Sequence, residues 1–537
     1  MRLHEFIESL SAKRSLAFRA VQGLILFLRS ISLAAAAWIS FKIYKVSQSA
    51  TAPPHPLDLA ATLLAVAELI FFAFYRQARA RLQALKPLPH RCVNRAERRL
   101  LVEQCASAAI RAPLNTEALR ASDIAESEQM PPPPHLRSAI EKWFLGATLE
   151  SISRRDFASW CAWAFFNEDL SGLTPSDRDE LEDHINFFQH QVKWRFPNKV
   201  AGGDSSQQGV RSIRLSLDPV MDTQRPLVYY AVVGAMFAMG SAAVFALGFR
   251  RRSMGRPEAP GGDPPLRVLF RPAKVTPGRA PGRAVVFVHG IGIGFLHYLL
   301  LLARLPRGSD VYLVEWPHVC MQVVERVAPI DTTVQDLAML LRADGHTSHG
   351  ALFVGHSLGS TLVAWMLHDA TARALIKATV LLDPVTFMLI APGIAFNFLH
   401  RKPASPFELL MHFFVSRELF IAHTLSRHFS WSHNVLFPND DLPSGRTLER
   451  ISGADAGVAP SVIVLSGDDA IVPARETADY LERCRAERQT QQGKQGQAAQ
   501  RGGSFEVVWL EGVQHGEVVM HKHHLDMVVG KIEERCV

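Results

Sequence analysis

ALFVGHSLGSTLVAW, from Ala351 to Trp365, places a serine between two glycines at the end of an apolar run. Ser357 is either a small residue in a tight turn or a nucleophile. ALFVGH has the length and composition of a strand buried on both faces, and the STLVAWMLHDA that follows reads as a helix. In that setting G-x-S-x-G is the pattern of a nucleophile elbow. The glycines permit a strained turn that lifts the hydroxyl above the sheet edge. The helix N-terminus behind it points N–H groups at developing negative charge.

Further stretches of the same kind flank this one. AVVFVH (Ala284 to His289), VYLVEW (Val311 to Trp316), ATVLLD (Ala378 to Asp383), SVIVLSG (Ser461 to Gly467) and FEVVWL (Phe505 to Leu510) alternate with helical stretches, which predicts a doubly wound, mostly parallel α/β sheet. A nucleophilic serine needs a base, and His515 in GVQHGEV follows the last of these strands. The acid has two positions, Asp469 in LSGDDAIVPA and Asp383 in LLDPV, with Asp468 a third; the aspartate not used would serve a turn or helix cap. Acyl transfer also needs N–H donors for an oxyanion. HGIGIG (His289 to Gly294) ends the first strand, and its glycines would let the N–H of Ile291 approach the pocket of the Leu358 N–H. A dinucleotide-binding reading of that loop fails, because G-x-G-x-x-G is missing and only Glu315 stands near a ribose-binding position. His521, His523 and His524 in HKHH diverge around a helix and read as a solvated face, not a metal site.

The first part of the chain has another character. With 48% hydrophobic and 20% charged residues the protein is apolar for its 537 residues, and the excess lies in the first half, which points to membrane contact. PLVYYAVVGAMFAMGSAAVFALGF (Pro226 to Phe249) carries no charge and is followed by Arg250, Arg251 and Arg252; it is long enough for a transmembrane helix. Gly234, Ala238 and Ala242 give it a small-residue face suited to another membrane helix. Val21 to Phe41, interrupted by Arg29, and Leu57 to Tyr75, with Asp58 and Glu68, read as a helical hairpin. A charge at mid-bilayer costs about 2.5–3.5 kcal/mol, which leucine-rich neighbours offset. Basic residues follow both the second and the third segment, so one of the first two is expected to lie flat or re-enter.

Between these segments Thr174-Pro175 starts a helix with Leu181, Ile185, Phe188 and Val192 on one face. SRRDFASWCAWAFFNEDL (Ser153 to Leu170) carries an aromatic stripe suited to a core or a membrane surface. The expected organisation is a membrane hairpin or interfacial helices over 1–80, a helical region over 81–225, a transmembrane helix over 226–249, a Pro/Gly/Arg-rich linker over 250–283, and an α/β domain over 284–537. That domain holds a helical cap at 386–455 and a disordered insertion at 485–503. The net charge of +7 is small and unclustered, against nucleic acid as a partner; six scattered cysteines read as free, buried thiols.

In order, HGIGIG, the GHSLG elbow, LLDPV, GDDAIVP and QHG resemble the α/β-hydrolase superfamily over about Pro264 to Val537. The resemblance implies the order Ser357, Asp469, His515 for nucleophile, acid and base. Asp469 is favoured because it stands four before Pro473, as the acid commonly does in that family, while some lipases place the acid in an LDP sequence like that at Asp383. It implies no metal and no cofactor. With the apolar stretch at the cap position, the expected activity is that of a membrane-anchored serine hydrolase cleaving an ester of a lipid or other apolar acyl compound. An acyltransferase using the same triad and a catalytically silent membrane scaffold are the rivals. No Asn-x-Ser/Thr acceptor occurs, which fits an endomembrane location with a cytosol-facing catalytic domain.

Overall fold

The computed structural model describes residues 16–48, 55–86, 88, 90–110, 130–198, 209–253, 262–274, 277, 282–443, 460–494 and 505–536. Helices α1 (Leu16–Ser47) and α2 (Pro56–Leu82) form the expected hairpin. Its two arms are unbroken and antiparallel: Lys42 pairs with Asp58, Trp38 Nε1 donates to Thr62 Oγ1 at 3.1 Å, and Ser32 Oγ donates to Glu68 Oε1 at 2.5 Å. The other oxygen of Glu68 accepts from Leu227 N at 2.7 Å, at the first residue of α7 (Leu227–Ala246). A carboxylate at a helix N-terminus is favourably placed. The acid that interrupts the second apolar segment thus ties three helices together.

Helices α1, α2 and α7 are each long and apolar enough to cross a membrane. α7 also turns one face to the rest of the chain: Val233, Gly240 and Val244 are buried, and a Cβ on Gly240 would stand 3.0 Å from the Leu296 backbone nitrogen. The small-residue stripe is not that face. Ala238 and Ala242 are exposed, and a Cβ on Gly234 would meet nothing within 4 Å. Burying valine side chains removes more apolar area from water than burying alanines.

The helical region contains α3 (Arg95–Ile110), α4 (Pro134–Trp143), α5 (Arg154–Phe166) and α6 (Pro175–Val192). Thr174 caps α6 by accepting from Asp177 N, and Leu181, Ile185 and Val192 are buried, as their spacing requires. Ser153 and Asp156 form a capping box on α5. Phe157, Cys161, Trp163 and Phe165 on that helix are buried, so the aromatic stripe is core.

Among the described residues eight strands form one sheet: β1 (Arg250–Arg252), β2 (Arg267–Arg271), β3 (Gly282–Val288), β4 (Ser309–Glu315), β5 (Ala351–His356), β6 (Ile376–Leu382), β7 (Val462–Ser466) and β8 (Glu506–Leu510), in the order 1-2-4-3-5-6-7-8. β3 to β8 are parallel and correspond to the six apolar runs, with α8 (Ile330–Ala343) crossing from β4 to β5; β1 and β2 pair antiparallel at the edge. Those two correct the expected linker at 250–283. β1 is the edge strand, needs only half its backbone paired and tolerates three exposed arginines, while β2, paired to β1 and to β4, holds only Val268, Leu269 and Phe270 between two arginines, a run too short to stand out.

The expected insertion is corrected in part as well. Helix α11 (Ala474–Lys494) continues through the first half of 485–503, and the remainder lies outside the described residues. Between β6 and β7 the cap is described as far as residue 443 and includes α10 (Leu419–Arg427). All six cysteines are free and buried.

Candidate active site

The strand order reverses beside β3, since β4 lies on one side of it and β5 on the other. Loops leaving the carboxyl ends of neighbouring strands at such a switch point diverge and leave a crevice. Val288 pairs with Gly355, which brings the HGIGIG loop against the elbow. β6, β7 and β8 follow in order, so the loops carrying Asp383, Asp469 and His515 stand side by side.

At the elbow Ser357 has a φ of +51°, a left-handed conformation that is strained for a serine. Its surroundings hold it there. Ser360, at the start of α9 (Ser360–His368), donates its hydroxyl to the Ser357 carbonyl at 2.6 Å and accepts from Val385 N at 3.1 Å. A Cβ on Gly359 would collide with the Val288 carbonyl, and one on Gly290 would stand 2.8 Å from the Ser357 Cβ. Both glycines are therefore required by close backbone approach.

His515 Nε2 lies 2.8 Å from Ser357 Oγ, and His515 Nδ1 lies 2.6 Å from Asp469 Oδ2. With Nδ1–H donating to the carboxylate, Nε2 of the neutral ring accepts from the serine hydroxyl. Asp469 is fixed in turn, its Oδ1 accepting from Ile471 N at 2.7 Å and Val472 N at 2.8 Å. Burial opposes a charge on His515. The Asp469 carboxylate, by its charge and its hydrogen bond, and then the charge of Asp383 outweigh it and raise the imidazole to about 9.

Asp383 is fully buried and does other work. Its Oδ1 accepts from Ser466 N at 2.8 Å, and its Oδ2 accepts from Ser466 Oγ and Gly516 N, each at 3.0 Å. It therefore ties the end of β7 to the loop next to His515. Burial pushes its carboxyl above the ordinary range; the charge of His515 opposes this most strongly, and the neighbouring Asp469 adds to the rise. Asp468 is exposed. His521 and His523 are exposed and His524 is half-buried, on or beside the solvent face of α12 (Lys522–Cys536).

In the HGIGIG loop Trp316 N donates to His289 Nε2 at 3.1 Å, leaving Nδ1–H to donate to Gly290 O at 2.8 Å. Gly290 N donates to the Tyr298 hydroxyl at 3.0 Å, and that hydroxyl lies 2.6 Å from Nδ1 of His356, the residue before Ser357. The loop is thereby locked to the elbow. Ile291 and Leu358 line one cavity with Ser357 and His515.

Most of that cavity's wall is apolar and comes from the cap, including Leu389, Ile394, Phe398, Met411 and Phe429. Part of it comes from far upstream. Trp143, Trp163 and Leu215 also line it, and no local sequence signal assigns a helix before α7 to a pocket after β5. The cap is both a wall of the pocket and a contact surface for α7. Tyr229 Oη on α7 donates to Phe414 O at 2.6 Å and Tyr230 Oη to Glu418 Oε1 at 2.7 Å.

A mostly parallel sheet with a strained serine after its central strand, and with an aspartate and a histidine delivered by later loops, defines an α/β-hydrolase domain. Residues 285–530 match the model of the family described as "Alpha/beta hydrolase family". No curated protein matches the chain in sequence. Among solved structures, a bacterial membrane phospholipase A is 14% identical, with 57% of this chain and 94% of that one covered and a TM-score of 0.33. A hyperthermophilic esterase from Pyrobaculum calidifontis is 17% identical, with 57% and 92% covered and a TM-score of 0.32. A thermophilic esterase from Thermogutta terrifontis is 14% identical, with 54% and 100% covered and a TM-score of 0.33. Likenesses this distant say nothing of what the chain acts on.

Proposed function

We propose that the protein is a membrane-associated serine hydrolase that cleaves a carboxylic ester of a lipid or another apolar acyl compound. The observation that carries this reading is the continuous relay from Ser357 Oγ through His515 to Asp469, opening into an apolar cavity. Ser357 attacks the ester carbonyl while His515 Nε2 takes the hydroxyl proton. The N–H groups of Ile291 and Leu358 hold the oxyanion, and collapse of the tetrahedral intermediate passes that proton to the leaving alcohol. Water, activated by the same imidazole, then releases the acid and restores the serine.

The membrane part of the reading rests on the three apolar helices. The apolar substrate rests on the cap and aromatic side chains around Ser357. Labelling of membranes carrying the full chain by a fluorophosphonate probe tests the chemistry. Labelling that disappears in both Ser357→Ala and His515→Ala is the expected result. A folded, unlabelled native protein overturns it in favour of a non-catalytic scaffold.

A further inference from the structure

Behind the cavity at Ser357 lies a second chamber. The two share Trp143, Trp163, Leu389, Ala391 and Trp431, so a single layer of side chains stands between them. The outer chamber is built largely by α4, α5 and α6, with Ile140, Phe157, Trp160, Phe188 and Phe196 on its wall. Its lining reaches the surface at His135 and Glu476, both exposed.

The polar edges of the three shared indoles are already used. Trp143 Nε1 donates to Ile390 O at 3.1 Å, Trp163 Nε1 to Ser216 Oγ at 2.8 Å and Trp431 Nε1 to Ala164 O at 2.7 Å. What these side chains offer to either chamber is hydrocarbon and ring face. Trp143 and Trp163 touch, with ring centroids 5.9 Å apart, and their hydrogen bonds fix both rings. Ala391 is the one small side chain in the shared layer, so beside it the layer is thinnest.

Protein interiors are close-packed, and a large apolar void forfeits the contacts its wall could make. A void one side-chain layer from the cavity of a nucleophile, whose polar lining apart from Trp160 Nε1 is confined to the exposed His135, Ser138, Lys142 and Glu476, suits a flexible hydrocarbon chain.

We propose that the outer chamber receives the distal part of a long, unbranched acyl chain whose ester carbonyl lies at Ser357, the chain passing beside Ala391 past the Trp143 and Trp163 rings. The proposal rests on the serine-hydrolase reading and names its substrate class. The N-terminal helical region thereby becomes the element that selects chain length. Relative to substrate free in water, burial of each further methylene in the outer chamber raises kcat/KM by about fourfold until the chamber is full.

The test uses the full chain in detergent micelles and p-nitrophenyl esters from butyrate to palmitate. The native protein is expected to favour the long esters. Ala391→Phe, which plugs the junction, and Ala139→Trp, which fills the outer chamber from its half-exposed side, are each expected to lower the ratio of palmitate to butyrate kcat/KM at least tenfold. Because a ratio is read within one sample, partial misfolding does not imitate the effect. Ratios equal to the native one in both variants overturn the proposal. If the native protein turns over no ester and resists the fluorophosphonate, the hydrolase reading has failed. The chamber is then read by quenching of tryptophan fluorescence with a palmitate brominated near its methyl end. Quenching that Ala391→Phe abolishes supports the chamber, and quenching that it leaves unchanged overturns it.

Discussion

The carboxylate on His515 Nδ1 belongs to Asp469, at 2.6 Å, while Asp383 reaches past the ring to the Gly516 N–H at 3.0 Å. Asp383, Asp469 and His515 present ligand atoms within 4.8 Å of one another, so proximity alone would not separate the two acids. Direction does. One aspartate orients the imidazole and the other holds the loop that carries it.

Different losses are expected from the two. Asp469→Asn removes the acceptor that selects the productive tautomer and is expected to lower kcat by roughly 10⁴. Asp383→Asn keeps an acceptor for one of its partners, so its loss, through a looser loop, is expected to be on the order of tenfold. Steady-state kinetics on one ester decides between them. The reverse ranking would return Asp383 to the role of acid.

A second expectation concerns pH. In the proposed mechanism the imidazole would act as base only when neutral, and in the folded protein it is raised to about 9. The rate is therefore expected to climb from neutral pH with an apparent pKa well above the ordinary value of about 6.5. Stability has the opposite slope. The folded pKa lies above the unfolded one, so the contribution of the pair, about 3 kcal/mol, is complete below pH 6.5 or so and disappears as pH rises through 9. The pH profile of kcat/KM checks the first, and thermal melts across the same range check the second. In Asp469→Asn both midpoints should move down.

Gly359 supplies a steric test. Its Cβ would strike the carbonyl of Val288, a backbone atom in the central sheet that cannot move aside. Gly359→Ala is expected to cost about 1–3 kcal/mol and to abolish labelling of Ser357. Gly234→Ala is the matched control: nothing lies within 4 Å of the added carbon, and alanine favours the helix. Equal melting temperatures for the two variants would show that the elbow is looser than its geometry.

The sequence made the interior strands legible because each is buried on both faces and so must be apolar over its whole length. It made Ser357, Asp469 and His515 legible because a strained turn needs glycines at fixed offsets, and because loops at one edge of a parallel sheet follow chain order. Two kinds of feature stayed out of reach. β1 is written Arg-Arg-Arg and is exposed throughout, so nothing in it marks a strand, whereas β8, at the other edge, is half-buried and apolar. Trp143 and Trp163 come to the pocket across about two hundred residues, where nothing local distinguishes a pocket wall from a core. The preference for Asp469 over Asp383 came from its place four before Pro473, and the directions of the two hydrogen bonds agree with it.

Arg427 provides the last test, of the union between cap and N-terminal region. This buried guanidinium donates to the carbonyls of Gln83, Ala84, Ser216, Asp218 and Ser426 at 2.9 to 3.3 Å. Four of those five belong to the N-terminal part of the chain, so a single side chain on α10 closes the cap against it. Arg427→Met would leave several buried acceptors unpaired and is expected to cost about 3 kcal/mol or more. Arg427→Lys should recover little, because an ammonium cannot present donors in the fork these carbonyls occupy. Thermal unfolding of the full chain in detergent reads the cost. The same loss should open the wall formed by Trp143, Trp163 and Leu215 and slow hydrolysis of apolar esters before the fold melts. Native stability in Arg427→Met would mean that the contacts of Tyr229 and Tyr230 with the cap suffice to hold the two parts together.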